Sequence, residues 1–248
     1  MIRGLLVIAA LLGLWELYCA LSGVDQLVLP SPADVGQALW TDRGLLWSAL
    51  LVTAGELLLG LLVALAVAIA AAIGIHLSRS LRNSVYPVLV ASQTVPIPVI
   101  ASLLVVWLGY DTGPKVVIVA LVAFFPVVVG ILDGLAGIDP ELDLVARSFG
   151  AGRLRRFRLV EAPAALPGAL TGLRIAVVIS VIGAVFAEQA GGDSGLGFVI
   201  QQALPQLLTA RAYAAVVVLS TLALTAFLLL TAVQTRLLPW TRLRQSEQ

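Results

Sequence analysis

Long apolar runs recur six times along the chain, at residues 4–21, 46–75, 85–108, 115–136, 166–190 and 212–235. A helix needs about 20 largely apolar residues to cross the hydrocarbon core of a bilayer, which these runs approach or exceed. They are continuous rather than alternating, so they predict helices and disfavour the strands of a membrane barrel. The second run is long enough to tilt or to extend past the bilayer. Glu16 interrupts the first run, no small-x-small cleavage site is obvious, and Tyr18 before Cys19 is too bulky for lipoprotein cleavage. Residues 1–21 therefore read as the first helix rather than a removed signal. No internal repeat or low-complexity linker divides the chain, which predicts one domain over residues 1–248. The expected fold class is an all-α integral membrane protein, a polytopic bundle of six helices.

Positive charges in the short loops set the orientation of such a bundle. With the N-terminus inside, Arg3, Arg79, Arg82, Arg147, Arg153, Arg155, Arg156, Arg158, Arg236, Arg242 and Arg244 fall on the cytoplasmic side. Arg43, Lys115 and Arg211 fall outside, and Arg174 lies within the fifth run. The imbalance predicts that both termini are cytoplasmic, in a multi-pass protein of the plasma (inner) membrane.

Composition agrees with the pattern. The chain is 60% hydrophobic and 12% charged, where a soluble domain carries about 25% charged residues. A net charge of +1 gives no global field to attract nucleic acid. The lone Cys19 and lone His76 exclude an internal disulfide, a cysteine cluster and a paired-histidine metal site. A P-loop requires Gly-x4-Gly-Lys-Ser/Thr, but the only lysine, Lys115, is followed by Val116. The chain is therefore not a P-loop ATPase, and active transport would need a separate one. An intramembrane protease has no candidate residues either, since His76 sits at a boundary beside Ser78 and Arg79. The residues leave open a passive channel or secondary transporter and a membrane scaffold.

One loop looks built. In residues 137–165, Asp139-Pro140-Glu141 reads as an N-cap, a proline at the first helical position and an acid in the first turn. A short helix is expected to run to Phe149 and to end at Gly150. A second segment, Arg153 to Val160, carries four arginines, and Pro163 and Pro167 are expected to stop it and restart the chain as span five. An interfacial helix touching anionic lipid and a docking element for a cytoplasmic partner both fit these residues.

Inside the spans, Glu16, Glu56, Asp133 and Glu188 are costly unless they face protein or water. Glu188 follows Gly168, Gly172, Ala176, Ser180 and Ala184, a ridge of small residues suited to close helix approach. It reads either as a packing residue or as part of a gate. Gln93-Thr94-Val95-Pro96-Ile97-Pro98 breaks span three, because two prolines free carbonyls that lipid cannot satisfy. Gln93, Thr94 and Pro96 line a translocation path or form a plain kink. Residues 191–205 read as a glycine-rich outer loop.

The run Leu144-Val145-Ala146, then Gly150, then Val160-Glu161-Ala162-Pro163 resembles the Glu-Ala-Ala loop of binding-protein-dependent ABC importer permeases. The family spacing is kept, with Ala146, Gly150 and Pro163 matching, while Leu144, Val145 and Ala162 depart from it. Leu29-Pro30-Ser31-Pro32, Trp107-Leu108-Gly109 and Gly195-Leu196-Gly197 resemble the nitrate, sulfonate and taurine branch, related to thiamine-precursor permeases. The resemblance implies a type I importer fold and a homodimer. It also implies a coupling helix, with Glu141, Asp143, Ala146, Gly150, Arg153, Arg156 and Pro163, that docks a cytoplasmic ATPase. ATP and magnesium would be bound there and no cofactor by this chain. Gly195, Leu196 and Gly197 would face an extracytoplasmic binding protein. The implied activity is import of a small solute by alternating access.

Overall fold

Three long helices form the centre of the molecule, and their small residues explain how closely they meet. The computed structural model describes residues 2–238; Arg242, Arg244 and the Asp143 side chain lie outside what is described. Among the described residues the elements are helical throughout: α1 (Ile2–Ser22), α2 (Pro32–Thr41), α3 (Arg43–Leu77), α4 (Arg79–Ser92), α5 (Ile97–Leu108) and α6 (Thr112–Ala136). There follow α7 (Pro140–Ser148), α8 (Arg153–Arg156), a π turn (Phe157–Glu161), α9 (Ala162–Gly191), α10 (Leu196–Ala203) and α11 (Thr209–Leu237).

Four of these helices are long and apolar enough to cross a membrane alone: α3, α6, α11 and the 39-residue rod Arg153–Gly191. The segments Ser84–Ser92 and Ile97–Leu108 pass the same test only as a pair bent by 95°. Counting that pair as one span gives five, and α1 supplies a shorter apolar stretch, Leu6–Ser22.

In lipid, apolar side chains gain little by leaving their surroundings, so helices associate through close packing. On α3, Ala64, Ala68 and Ala72 fall four residues apart and are buried against Val127, Val128 and Ile131 of α6 and Ala176 of α9. Gly130 and Gly134 of α6 meet Gly168, Gly172 and Ala165 of α9 backbone to backbone. A Cβ added at Gly130 would lie 2.6 Å from the Gly168 carbonyl oxygen, and one at Gly134 would lie 2.7 Å from that of Ala165. The small-residue ridge of α9 thus has a glycine counterpart on α6. Gly134→Val is expected to destabilise the bundle by about 1–3 kcal/mol through overpacking. A thermal unfolding midpoint equal to wild type in purified protein would refute this contact.

Two expectations need correction. The prolines at 163 and 167 do not separate an arginine-bearing segment from span five. The Ala162 N–H donates to the Phe157 carbonyl five residues back, and this wider π turn carries the helix into Pro163 without a break. Residues 191–205 are also not all loop, since Leu196–Ala203 forms α10. Its start depends on partners far away in the chain, described below. An unforeseen surface helix, α2, begins with a capping box in which Ser31 and Asp34 bond reciprocally to each other's backbone N–H. The bidentate Arg211–Asp42 pair, at 2.7 and 2.9 Å, ties the α2–α3 junction to the start of α11.

Candidate functional site: a capped loop, a broken-helix groove and an elbow

At one end of the bundle, α3, α6 and α9 bring four polar side chains into the interior. Thr53 and Glu56 lie one turn apart on α3, Lys115 lies in the first turn of α6, and Glu188 lies in the last turn of α9. Glu188 is 0% exposed, Glu56 2% and Lys115 3%. Burying such charges is costly unless they are paired and hydrogen-bonded. The Thr53 hydroxyl donates to Glu188 Oε1 at 2.6 Å, and the Gly197 N–H donates to Glu188 Oε2. The Leu196 N–H donates to Thr53 Oγ1 at 2.9 Å. Glu188 and Thr53 therefore supply acceptors to the first N–H groups of α10, a cap provided from other helices.

This cap explains two glycines. Gly195 has φ +104°, and a Cβ there would fall onto the Glu188 carboxyl group. A Cβ at Gly197 would lie 2.8 Å from Glu188 Oε2. A second tie reaches the same loop: Lys115 Nζ is 2.9 Å from Glu56 Oε1 and 3.9 Å from Asp193 Oδ1. The Ser194 hydroxyl donates to Asp193, which together with Lys115 holds that exposed carboxyl below its usual range. The residues proposed from the sequence, Glu188, Gly195, Leu196 and Gly197, thus form one unit. Thr53 and Lys115 were missed, although Lys115 stood out as the only lysine.

The second feature is a groove of about 530 Å³ between the bent pair and the α6–α9 seam, lined by Gln93, Pro126, Asp133, Thr171, Ile175 and Ile179, among others. Pro96 opens α5 and, with Pro98, lacks an N–H, so α4 stops and the chain turns sharply. The Gln93 and Thr94 N–H groups close short turns onto Val90 and Ala91. Gln93 faces the groove, whereas the Thr94 hydroxyl donates back to the Ala91 carbonyl at 2.8 Å and Pro96 does not line it. Glu188 lies elsewhere, in the cap of α10. Asp133 and Thr171 join Gln93 instead, a grouping that only helix packing creates.

The third feature is the elbow at residues 137–165. Asp139 Oδ1 accepts the Glu141 N–H at 2.9 Å, Pro140 follows, and Gly150 takes φ +71°. The Ala146 carbonyl accepts the Ala151 N–H at 3.0 Å, which turns the chain back from α7. Glu141, Leu142, Val145 and Gly150 are exposed, and Phe149 is 84% exposed. Arg153 donates to the Leu77 carbonyl at the end of α3 at 2.9 Å. Glu161 bridges Arg156 Nε at 3.0 Å and His76 Nε2 at 2.8 Å. His76, for which no role was expected, fastens the elbow to α3. Pro163 then continues the rod into the bundle.

Residues 57–243 match the family described as binding-protein-dependent transport system inner membrane component. The chain belongs to this family. It is 35% identical over 224 residues to a probable ABC transporter permease protein of Haemophilus influenzae, covering 90% of this chain and 91% of that one. It is 32% identical over 231 residues to a formylaminopyrimidine transport permease protein of Halalkalibacterium halodurans, covering 93% and 92%. It is 32% identical over 240 residues to a taurine transport system permease protein of Escherichia coli, covering 94% and 87%. The permease is therefore a multi-pass protein of the inner membrane. Its groove, cap and elbow lie within or beside the matched region.

Proposed function

We propose that this permease is half of the membrane-embedded part of an ATP-driven importer of a small solute. In this reading α1 is the sixth span, both termini are cytoplasmic, and two copies enclose the path. The elbow docks an ATPase subunit that binds ATP and magnesium, and the capped loop around Gly195–Gly197 receives an extracytoplasmic binding protein. Closure of the ATPases pushes the elbows and rocks the two halves between inward- and outward-open states. The groove at Gln93 is one wall of the path. Similar permeases are named for aliphatic sulfonates, taurine, a formylaminopyrimidine or riboflavin, which supports a solute of this small size.

The observation that carries this reading is the elbow's surface. A helix that only rested on lipid would lay its apolar face along the bilayer and have no need of a rigid joint. Here Leu142, Val145 and Phe149 stand exposed on a capped helix, which is joined through Arg153, Arg156, Glu161 and His76 to both α3 and α9. That combination suits a lever gripped by a partner.

Gly150→Trp tests it. A tryptophan at φ +71° is strained and puts an indole beside Phe149, yet a Cβ there meets nothing within 4 Å, so the bundle is left alone. The assembled transporter is expected to keep its membrane insertion and lose solute-stimulated ATP hydrolysis. Undiminished stimulation would overturn the docking role.

A further inference from the structure

We infer that the cleft behind the elbow binds an anionic phospholipid, its phosphate at Arg153 and Arg158 and its acyl end against the last turns of α3 and α6. The inference takes from the reading above only the cytoplasmic side of the elbow, not the docking of an ATPase. The cleft measures about 830 Å³ and lies between the C-terminal ends of α3 and α6 and the start of the rod Arg153–Gly191. Ile73 and Leu77 of α3 and Leu135 of α6 form one wall. Leu77 is the last residue of α3 and Leu135 the last but one of α6, both helices long and apolar enough to span. This wall therefore stands where the hydrocarbon of the bilayer gives way to head groups. The opposite wall is the beginning of the rod, and Arg153, Arg156 and Arg158 all line the space from there. Leu154, between them, is 63% exposed, so the cleft is open along its side.

The charges lining the cleft do not cancel. Its carboxylates are both engaged: Asp139 caps α7 by accepting the Glu141 N–H, and Glu161 is held by Arg156 Nε at 3.0 Å and His76 Nε2 at 2.8 Å. Arg153 gives one N–H to the Leu77 carbonyl at 2.9 Å, which draws its guanidinium to the rim of the apolar wall. Among the described residues no carboxylate lies within ion-pair distance of Arg153 or Arg158, and the Arg158 side chain makes no hydrogen bond. Each guanidinium presents a planar fork of N–H donors that matches phosphate oxygens. The inner leaflet that the elbow meets is the anionic one. A free phosphate would use these arginines and leave the apolar wall wet. A neutral lipid would cover the wall and leave the guanidinium groups unmatched. An anionic phospholipid answers both, with its head group and the first part of a chain inside a space of ordinary ligand-pocket size. The exposed Leu142, Val145 and Phe149 of α7 line none of this cleft, so the lipid and the proposed ATPase have separate surfaces.

Native mass spectrometry of the delipidated, assembled transporter, in detergent with equal amounts of phosphatidylglycerol and phosphatidylcholine, counts the lipid it retains. Wild type is expected to retain phosphatidylglycerol in preference. Arg158→Gln breaks no contact within the described protein and should lower that preference about fivefold; adding Arg153→Gln should bring the fall to about thirtyfold. Arg158→Lys keeps the charge and should keep most of the preference. Arg155→Gln, on the same elbow but outside the cleft, should leave it unchanged. If the double variant does not assemble, Arg158→Gln decides by itself. No preference in wild type, or an equal loss in Arg155→Gln, would reduce the site to diffuse attraction and overturn the inference. Displacement of the lipid by excess glycerol phosphate would make it a site for a soluble anion, with the same consequence. Phosphatidylglycerol held by the isolated permease but absent from the assembled transporter would give the cleft to the ATPase and also overturn it. The docking role is read separately, by Gly150→Trp.

Discussion

Glu188→Ala is expected to abolish transport and to release the outer loop. The change removes the acceptor of the Gly197 N–H in a buried site, and leaves the Thr53 hydroxyl only the Ala49 carbonyl at 3.2 Å. An orphaned buried N–H costs about 1–3 kcal/mol, and a stability loss of that order is expected. Because α10 starts from this cap, a thiol placed by Ser194→Cys should then be labelled about tenfold faster, as a locally opened segment would be. Glu188→Gln retains one carbonyl acceptor and should fall between alanine and wild type. Thr53→Val cuts the same unit from the other side, so the double variant should cost less than the sum of the two singles. Wild-type labelling and transport in Glu188→Ala would show that the cap is not what positions the loop.

Phe149→Asp should detach the ATPase while sparing the bundle. The ring is 84% exposed, so its removal takes little from the fold, and the unfolding midpoint of the isolated permease should be unchanged. Aromatic anchors at the centre of interfaces are commonly worth about 2–4 kcal/mol, or roughly 30- to 1,000-fold in affinity. The ATPase of the same transport system should therefore dissociate at concentrations that hold the wild-type complex together. A variant that still retains it at full stoichiometry would place the grip elsewhere on the elbow. Gly150→Trp differs in kind, since it is expected to disturb coupling through geometry more than through lost contact area.

Much of the elbow was legible because its signals are local. Asp139, Pro140 and Gly150 act on backbone atoms within a few residues of themselves, and the structure has the cap and the left-handed turn at these positions. The break at Pro96 and Pro98 was legible for the same reason, since a missing N–H is a property of the residue. Pro163 misled because its effect depends on the turn before it, and the π turn at Phe157–Glu161 accommodates it. α10 is not legible locally because its N-cap is Gly195, which has no side chain to cap it, and neither Asp193 nor Ser194 takes that position. Its cap comes from Thr53 and Glu188, and for Thr53 the separation along the chain is 143 residues.

The sequence by itself determined that this chain lives in lipid, where its longest apolar helices run, where one of them breaks and where a capped elbow lies. These follow from transfer free energy and from backbone chemistry within a turn or two. Only the tertiary structure decided that Glu188 caps α10 while Gln93 faces a groove, and that His76 and Glu161 fasten the elbow. Each of those depends on which helix faces meet, and faces meet through glycine and alanine surfaces whose pairing no single segment specifies.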